Sequence, residues 1–253
     1  VIYFYPLFFN IVFMAILHQY AQKKDLYLIA DAGWSLCIPI NFYILYLTKS
    51  PNIHLSILMV FLNCIWGIRL TRLLWKRFQS GREDQRYINM KQAWGDTYPK
   101  KFFLFFMAQS LASWIFALPF YFSFHQKLLY PRLLIFGILI FFCGLSLSWL
   151  ADQQVVWFKQ NNKDPQGFCK QGLWKYSRHP NYFFEWVSWI GMAITSTAFA
   201  FGYFAWVTVA VELFLILYVS GIPYTQGVML EKRKEAYRRY MQTTSLFIPW
   251  FPK

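Results

Sequence analysis

The chain has 253 residues, of which 57% are hydrophobic, 23% aromatic and only 14% charged. A soluble domain averages about 45–50% apolar and about 25% charged residues. The apolar excess here falls in separate long runs, which excludes an ordinary soluble domain. The net charge of +14 raises nucleic acid as a partner, but the placement of the cations described below accounts for it without one.

Seven apolar runs are predicted as membrane-spanning helices, at roughly 3–20, 26–48, 53–75, 102–124, 131–157, 181–197 and 200–222. Each approaches the ~20 residues that a bilayer demands of a helix. The runs are continuous and not alternating, so helices are expected over a barrel, since lipid requires backbone groups to be paired internally. The first run lacks a small-residue cleavage site and is expected to stay as a helix. Pro6, Pro39 and Pro119 fall in or near spans and are expected to kink them. Cys37, Cys64 and Cys143 sit in apolar runs, and no CxxC spacing links them or Cys169. They read as packing thiols, with no metal site or disulfide implied. The expected fold class is therefore all-α, a single integral-membrane domain over 1–253.

Of the 25 Lys and Arg residues, twenty-one fall in connections 1–2, 3–4 and 5–6 and in the tail. The opposite side carries only Lys49, Lys127 and Arg132, while Arg69 lies inside the third span. Cytoplasmic loops collect Lys and Arg, so the N-terminus is expected outside and the C-terminus in the cytoplasm. The long polar connections at 76–101 and 158–180 and the tail from 224 lie on the cytoplasmic side, so any chemistry is expected to open there.

The second span contains Asp31, the end of the fifth Asp152, the sixth Glu185 and the seventh Glu212. A charge at the bilayer centre costs about 2.5–3.5 kcal/mol or more, so such residues face an interior or a cavity. Each serves either a site or a structural pairing between helices, for instance with Arg69. In "SWLADQQVVWFK", Lys159 follows Asp152 by seven residues, so the two share a helix face. Such a face suits a ribose and a phosphate, or is an ordinary snorkelling helix end. Arg69, Arg72 and Lys76 share a face of the third span. The loop "GREDQRY" adds Arg82, Glu83, Asp84, Arg86 and Tyr87. A polybasic lipid anchor carries cations only, so this mixture reads as a shaped polar pocket or a set of loop salt bridges.

The most specific stretch is "WKYSRHPNYFFEW", 174–186. Gly172 and Pro180 bracket a turn that enters the sixth span, and Asn181 and Glu185 lie one helical turn apart. A helix N-terminus favours anions, and Arg178 adds a fork of donors suited to phosphate. His179 is either an acid/base group or a cap for the turn.

Together with "ADQQVVWFK", "WGIRLTRLLWKR", "GREDQRY" and the end "AYRRYMQTTSLFIPW", this stretch resembles the steroid 5α-reductase superfamily, most of all its bacterial branch of seven-helix membrane proteins. The likeness runs from Asp31 to Trp250, with the motifs in the expected order. It implies an NADPH-dependent enzyme that reduces a carbon–carbon double bond conjugated to a ketone in a lipophilic, steroid-like or other lipid substrate. It also implies a bacterial inner-membrane location and a cofactor half at about 131–253. By the resemblance, Asn181 contacts the nicotinamide end with Glu185 one turn on, and Asp152 lies by the adenosine. Lys159 falls where the family has an arginine near phosphate, and Arg69 matches an arginine in its third helix; with Arg178 and Arg86 they complete the expected cofactor-binding set. Asp31 falls near the family's carbonyl-polarising glutamate. A protonated Asp31, Tyr87 or the Trp66 N–H is the expected donor to the substrate oxygen.

The chain departs from that pattern at three places. Trp66 stands where the family has a substrate-polarising tyrosine, "PYTQG" with Gln226 replaces a histidine region, and Phe184 stands where relatives often have Gly. Two alternatives stay open: a membrane methyltransferase using S-adenosylmethionine, whose family shares the "RHPxY" turn, and a non-enzymatic lipid or cofactor binder. No nucleic-acid partner is expected, and the membrane lipids themselves are.

Overall fold

The computed structural model describes residues 2–48, 53–124, 126–162, 164 and 167–252. Lys49, Lys163 and Lys253 of the charge distribution lie outside them. Nine α-helices occur among the described residues: α1 (Tyr5–Lys24), α2 (Ile29–Thr48), α3 (Ile53–Gln79), α4 (Gln85–Trp94), α5 (Tyr98–Tyr121), α6 (Pro131–Asn161), α7 (Pro180–Thr197), α8 (Trp206–Phe214) and α9 (Ile222–Thr243). Two isolated bridges are the extent of β pairing among these residues.

Four segments are long and apolar enough to cross a membrane: Ser56–Gln79, Gln85–Tyr121, Pro131–Asn161 and Gly202–Thr243. The other expected spans are present as α1, α2 and α7, which carry more polar side chains. Those of Asn10, His18, Ser35, Asn41 and Ser188 are buried, so the polarity faces inward, as lipid requires. The expected seventh span is present as α8 and the turn that continues it. A π-helical turn, Leu215–Val219, follows α8, and the chain breaks at Gly221 before α9, with Pro223 in its first turn. The tail, expected as a polar extension, is mostly the 22-residue α9. It has non-helical angles at Lys234 (φ 37°). Pro39 and Pro119 lie inside helices that run on through them, and Pro6 opens α1, where the missing N–H is harmless.

The chain forms two compact units, the first of residues 1–128 and 199–204, the second of 129–198 and 205–253. In the first, α2 packs on α1, α3 and α5, and α1 packs on α5. Its core is aromatic, with Tyr27 stacked on Phe102 at 3.9 Å and Tyr87, Phe106, Met14 and Cys37 fully buried around them. Polar bonds stitch the helices: Asn10 donates to the Ser113 hydroxyl at 3.0 Å and Asn41 to the Ser113 carbonyl at 2.9 Å.

In the second unit, the α6–α7 pair is the dominant contact. Two glycines let the backbones meet. A methyl group on Gly144 would lie 2.5 Å from the Ser188 nitrogen, and one on Gly191 2.2 Å from the Phe141 nitrogen. This is the small-residue seam by which helices associate in lipid, where apolar side chains gain nothing by leaving a solvent as apolar as themselves. The seam holds the end of α6 and the start of α7 in register, and both candidate motifs of this unit lie there.

Candidate functional site

Two polar clusters emerge, one in each unit. In the first unit the acidic residues of "GREDQRY" are structural clamps. The Glu83 carboxylate accepts from the Tyr27 and Leu28 backbone N–H groups at 2.6 and 3.0 Å, donors left free ahead of α2. Lys91 donates to Asp25 Oδ1 at 2.9 Å and lies 3.6 Å from Glu83. Asp84 caps α4 by accepting from the Arg86 N–H at 2.9 Å. These bonds dock the loop on the start of α2 and bring Arg86 and Tyr87 to Asp31.

Arg86 forms an ion pair with Asp31, and the Tyr87 hydroxyl donates to Asp31 Oδ1 at 2.8 Å. The cation that pairs with Asp31 is thus Arg86. Both groups donate to Asp31, one to each carboxyl oxygen. Arg86, expected on the cofactor side, also lies over the Tyr87 ring at 4.7 Å. Tyr87 is fully buried between Phe102 and Phe105. Trp66, another expected donor, is buried edge-on to Trp34. Arg69 lies partly exposed on α3, and Arg72 and Lys76 are exposed beyond it.

In the second unit, the Asn181 amide donates to Asp152 Oδ1 at 3.2 Å. The Ser148 hydroxyl reaches both the Asn181 carbonyl, at 3.1 Å, and Glu185 Oε2, at 3.0 Å. The predicted shared face of Asn181 and Glu185 is real and points at α6. Asp152 is buried, whereas Lys159, two turns on, is exposed. Glu212 is buried against Glu185, with Glu212 Oε2 lacking a hydrogen-bond partner.

The turn before α7 is pinned from three sides. From α6, the Ala151 carbonyl accepts from the Trp174 ring N–H at 2.9 Å and Gln154 Oε1 from the Leu173 N–H at 3.0 Å. From α9, the Tyr240 hydroxyl donates to the Trp174 and Ser177 carbonyls. From the C-terminal segment, the Ser245 carbonyl accepts from the Arg178 N–H and the Phe247 carbonyl from the Ser177 hydroxyl, at 2.9 and 2.8 Å. The Trp250 N–H then donates to the Tyr176 carbonyl at 2.9 Å.

This frame leaves polar atoms unused. Arg178 Nε and Nη1, His179 Nε2, Asn181 Oδ1 and Gln226 Nε2 are buried without a hydrogen-bond partner. A cleft of about 350 Å³ opens beside Arg178, lined also by Gln242, Thr243, Thr244, Ser245 and Trp250. Burial lowers the Arg178 pKa from its ordinary value, against the pull of the Tyr237 and Tyr240 hydroxyls beside it. Two of its guanidinium nitrogens, Nε and Nη1, are thus donors available to an anion. Burial, with Arg178 alongside, pushes the His179 imidazole down to about 3. The ring stacks on Tyr182 at 5.7 Å. Held neutral by that burial, the ring packs into the turn without making a capping hydrogen bond to α7.

Sequence reasoning missed Ser148, Ser177, Tyr240 and Ser245. Ser148 was findable, since it lies one helical turn before Asp152 on α6. The others act across 63 to 70 residues and leave no local spacing. Among the described residues no group of three His, Cys, Asp or Glu is placed to hold a metal.

Fold and composition define an all-α polytopic membrane protein. The model of a family described as "Protein of unknown function (DUF1295)" matches residues 17–244, and the chain belongs to that family. No curated protein and no solved structure matches it.

Proposed function

We propose that this protein is an NADPH-dependent reductase of the bacterial inner membrane. It saturates a carbon–carbon double bond conjugated to a ketone in a lipophilic substrate, and its cofactor side opens to the cytoplasm. The observation that carries this reading is the set of unsatisfied atoms at the start of α7, Arg178 Nε and Nη1 and Asn181 Oδ1. A dinucleotide phosphate fits them. A phosphate oxygen satisfies the Arg178 fork, a carboxamide N–H satisfies Asn181 Oδ1, and a ribose hydroxyl suits the Asp152 carboxylate that already orients Asn181. The bound dihydronicotinamide supplies the hydride.

The residues of this chain supply position and electrostatics. Asp152 and Ser148 fix Asn181 and Glu185, and the pinned turn holds Arg178. In the first unit, Arg86 and Tyr87 are the donors suited to a carbonyl oxygen on which charge develops. Tyr87 commits its single proton to Asp31, so it must re-aim to serve a substrate. Lys159, exposed and cationic, suits an outer phosphate. The clustering of cations at 76–101, 158–180 and the tail supports the cytoplasmic assignment.

The test is a thermal-shift series on detergent-solubilised protein, followed by an assay of NADPH consumption against a panel of lipid enones. NADPH is expected to raise the melting point, because a ligand that binds only the native state stabilises it. A shift with S-adenosylmethionine and none with NADPH assigns the protein to the methyltransferases instead.

A further inference from the structure

The C-terminal segment after α9 presents an apolar surface that the cofactor reading does not use. Phe247 is buried against Phe183 and Trp186. Its neighbours turn the other way: Ile248 is 60% exposed, Trp250 70% and Phe251 77%. Three hydrogen bonds to the 176–178 turn hold the segment in place. These outward side chains are therefore displayed by a fixed backbone.

Two neighbours within the same unit indicate what covers them. The first is the lipid-facing surface of α6. The same turn bonds to Ala151 and Gln154 of α6, so the strap lies at that end of the spanning helix. There α6 exposes Val156 and Trp157, the latter 60% open, continuing the exposed row of Leu139, Phe142, Trp149 and Leu150. The second is charge. Lys232, Lys234, Arg238 and Arg239 of α9 are exposed, with Glu231 and Glu235 among them. Arg238 and Arg239 make long contacts of 3.9 and 3.7 Å to Glu235. Four exposed cations against two acids leave the exposed surface of α9 net positive. Trp and other aromatics gather at membrane interfaces, and basic residues beside them attract anionic headgroups. Pro249 and Pro252 keep the segment from forming a helix, so its backbone cannot enter the hydrocarbon core but can lie among headgroups and water.

We propose that Ile248, Trp250 and Phe251 form an interfacial anchor. They lie in the headgroup region of the leaflet at the α6 C-terminal end, with the α9 cations against anionic phospholipid. Because the same strap pins the Arg178 turn, lipid contact and the geometry of that turn are coupled. Trp250 also borders the cleft beside Arg178.

The test uses the full chain in vesicles of zwitterionic phospholipid with or without an anionic phospholipid. A spin label is placed at Phe251→Cys after replacing Cys37, Cys64, Cys143 and Cys169 by Ser. Collisions with oxygen, which concentrates in the bilayer, are compared with collisions with an aqueous nickel chelate. The anchor predicts a several-fold excess of oxygen collisions, rising when anionic lipid is present. A chelate-dominated label overturns the proposal, and so does a label shielded from both reagents, which means protein covers it. In case the cysteine replacements unfold the chain, Trp250→Phe in the native background gives the same reading. The fluorescence lost in that variant is expected to be quenched by brominated lipid and spared by iodide, and the reverse overturns the proposal. Neither measurement involves NADPH, so their failure is distinct from failure of the reductase reading.

Discussion

Gly191→Ala probes the α6–α7 seam. The added methyl would sit 2.2 Å from the Phe141 nitrogen and 2.6 Å from its Cα. Ordinary contacts begin at 3.4 Å, so the helices must separate by about 1 Å at this crossing. Both clashing atoms are backbone, so no rotamer change relieves the overlap. Overpacking costs roughly 1–3 kcal/mol, and the upper end applies. At roughly 2–4 °C per kcal/mol for a chain of this size, the melting point should fall by about 6–12 °C. The same separation reaches the Asn181–Asp152 bond, already 3.2 Å long, and weakens it. The assay is thermal denaturation in detergent, with Gly227→Ala as control. Nothing lies within 4 Å of a methyl there, and alanine in a helix gains about 0.5–1 kcal/mol over glycine. If Gly191→Ala melts with the wild type, the close seam is wrong.

Asp31→Asn removes the partner of Arg86, a pair whose side chains are 20–24% exposed. Solvent screening reduces the loss below that of a fully buried pair, to about 1–3 kcal/mol. Tyr87→Phe should cost about 1–2 kcal/mol, and the double variant should lose less than the sum, because both act through one carboxylate. Strict additivity in a denaturation cycle contradicts the cluster. His179 sets a pH dependence. Its pKa falls from 6.5 to about 3 in the fold, so between those values the unfolded chain binds a proton that the native state does not. Its contribution is complete above pH 6.5 and is lost as pH falls toward 3. From pH 7 to pH 5 the wild type should lose about 2 kcal/mol more than His179→Gln. Parallel pH profiles for the two proteins would show that the imidazole is not held neutral.

The Asn181–Glu185 face and its neighbour Asp152 were legible because polar groups in apolar runs are costly and helical spacing says which of them align. The RHP turn was legible from Gly172 and Pro180. What holds that turn was not. Ser177, Tyr240, Ser245 and Trp250 meet it through long-range bonds, and a serine or tyrosine in a tail looks the same whether paired or solvated. Asp31 drew attention for its burial cost, but its true cation lies 55 residues away on α4. That ten-residue helix lacks a spanning run and announces itself only through the Asp84 cap. The break that ends the seventh span follows from Gly221 and Pro223, small signals at the edge of a strongly apolar stretch.

The account rests on the start of α7 holding NADPH, with its carboxamide on Asn181 Oδ1. The direct measurement is the change in melting point with NADPH for the wild type, Asn181→Ala and Asn181→Asp, each compared with its own ligand-free state. The account predicts a clear rise for the wild type, dependent on NADPH concentration, and its loss in both variants while their ligand-free folds persist. An undiminished rise in Asn181→Ala, or no rise in the wild type at saturating NADPH, contradicts it.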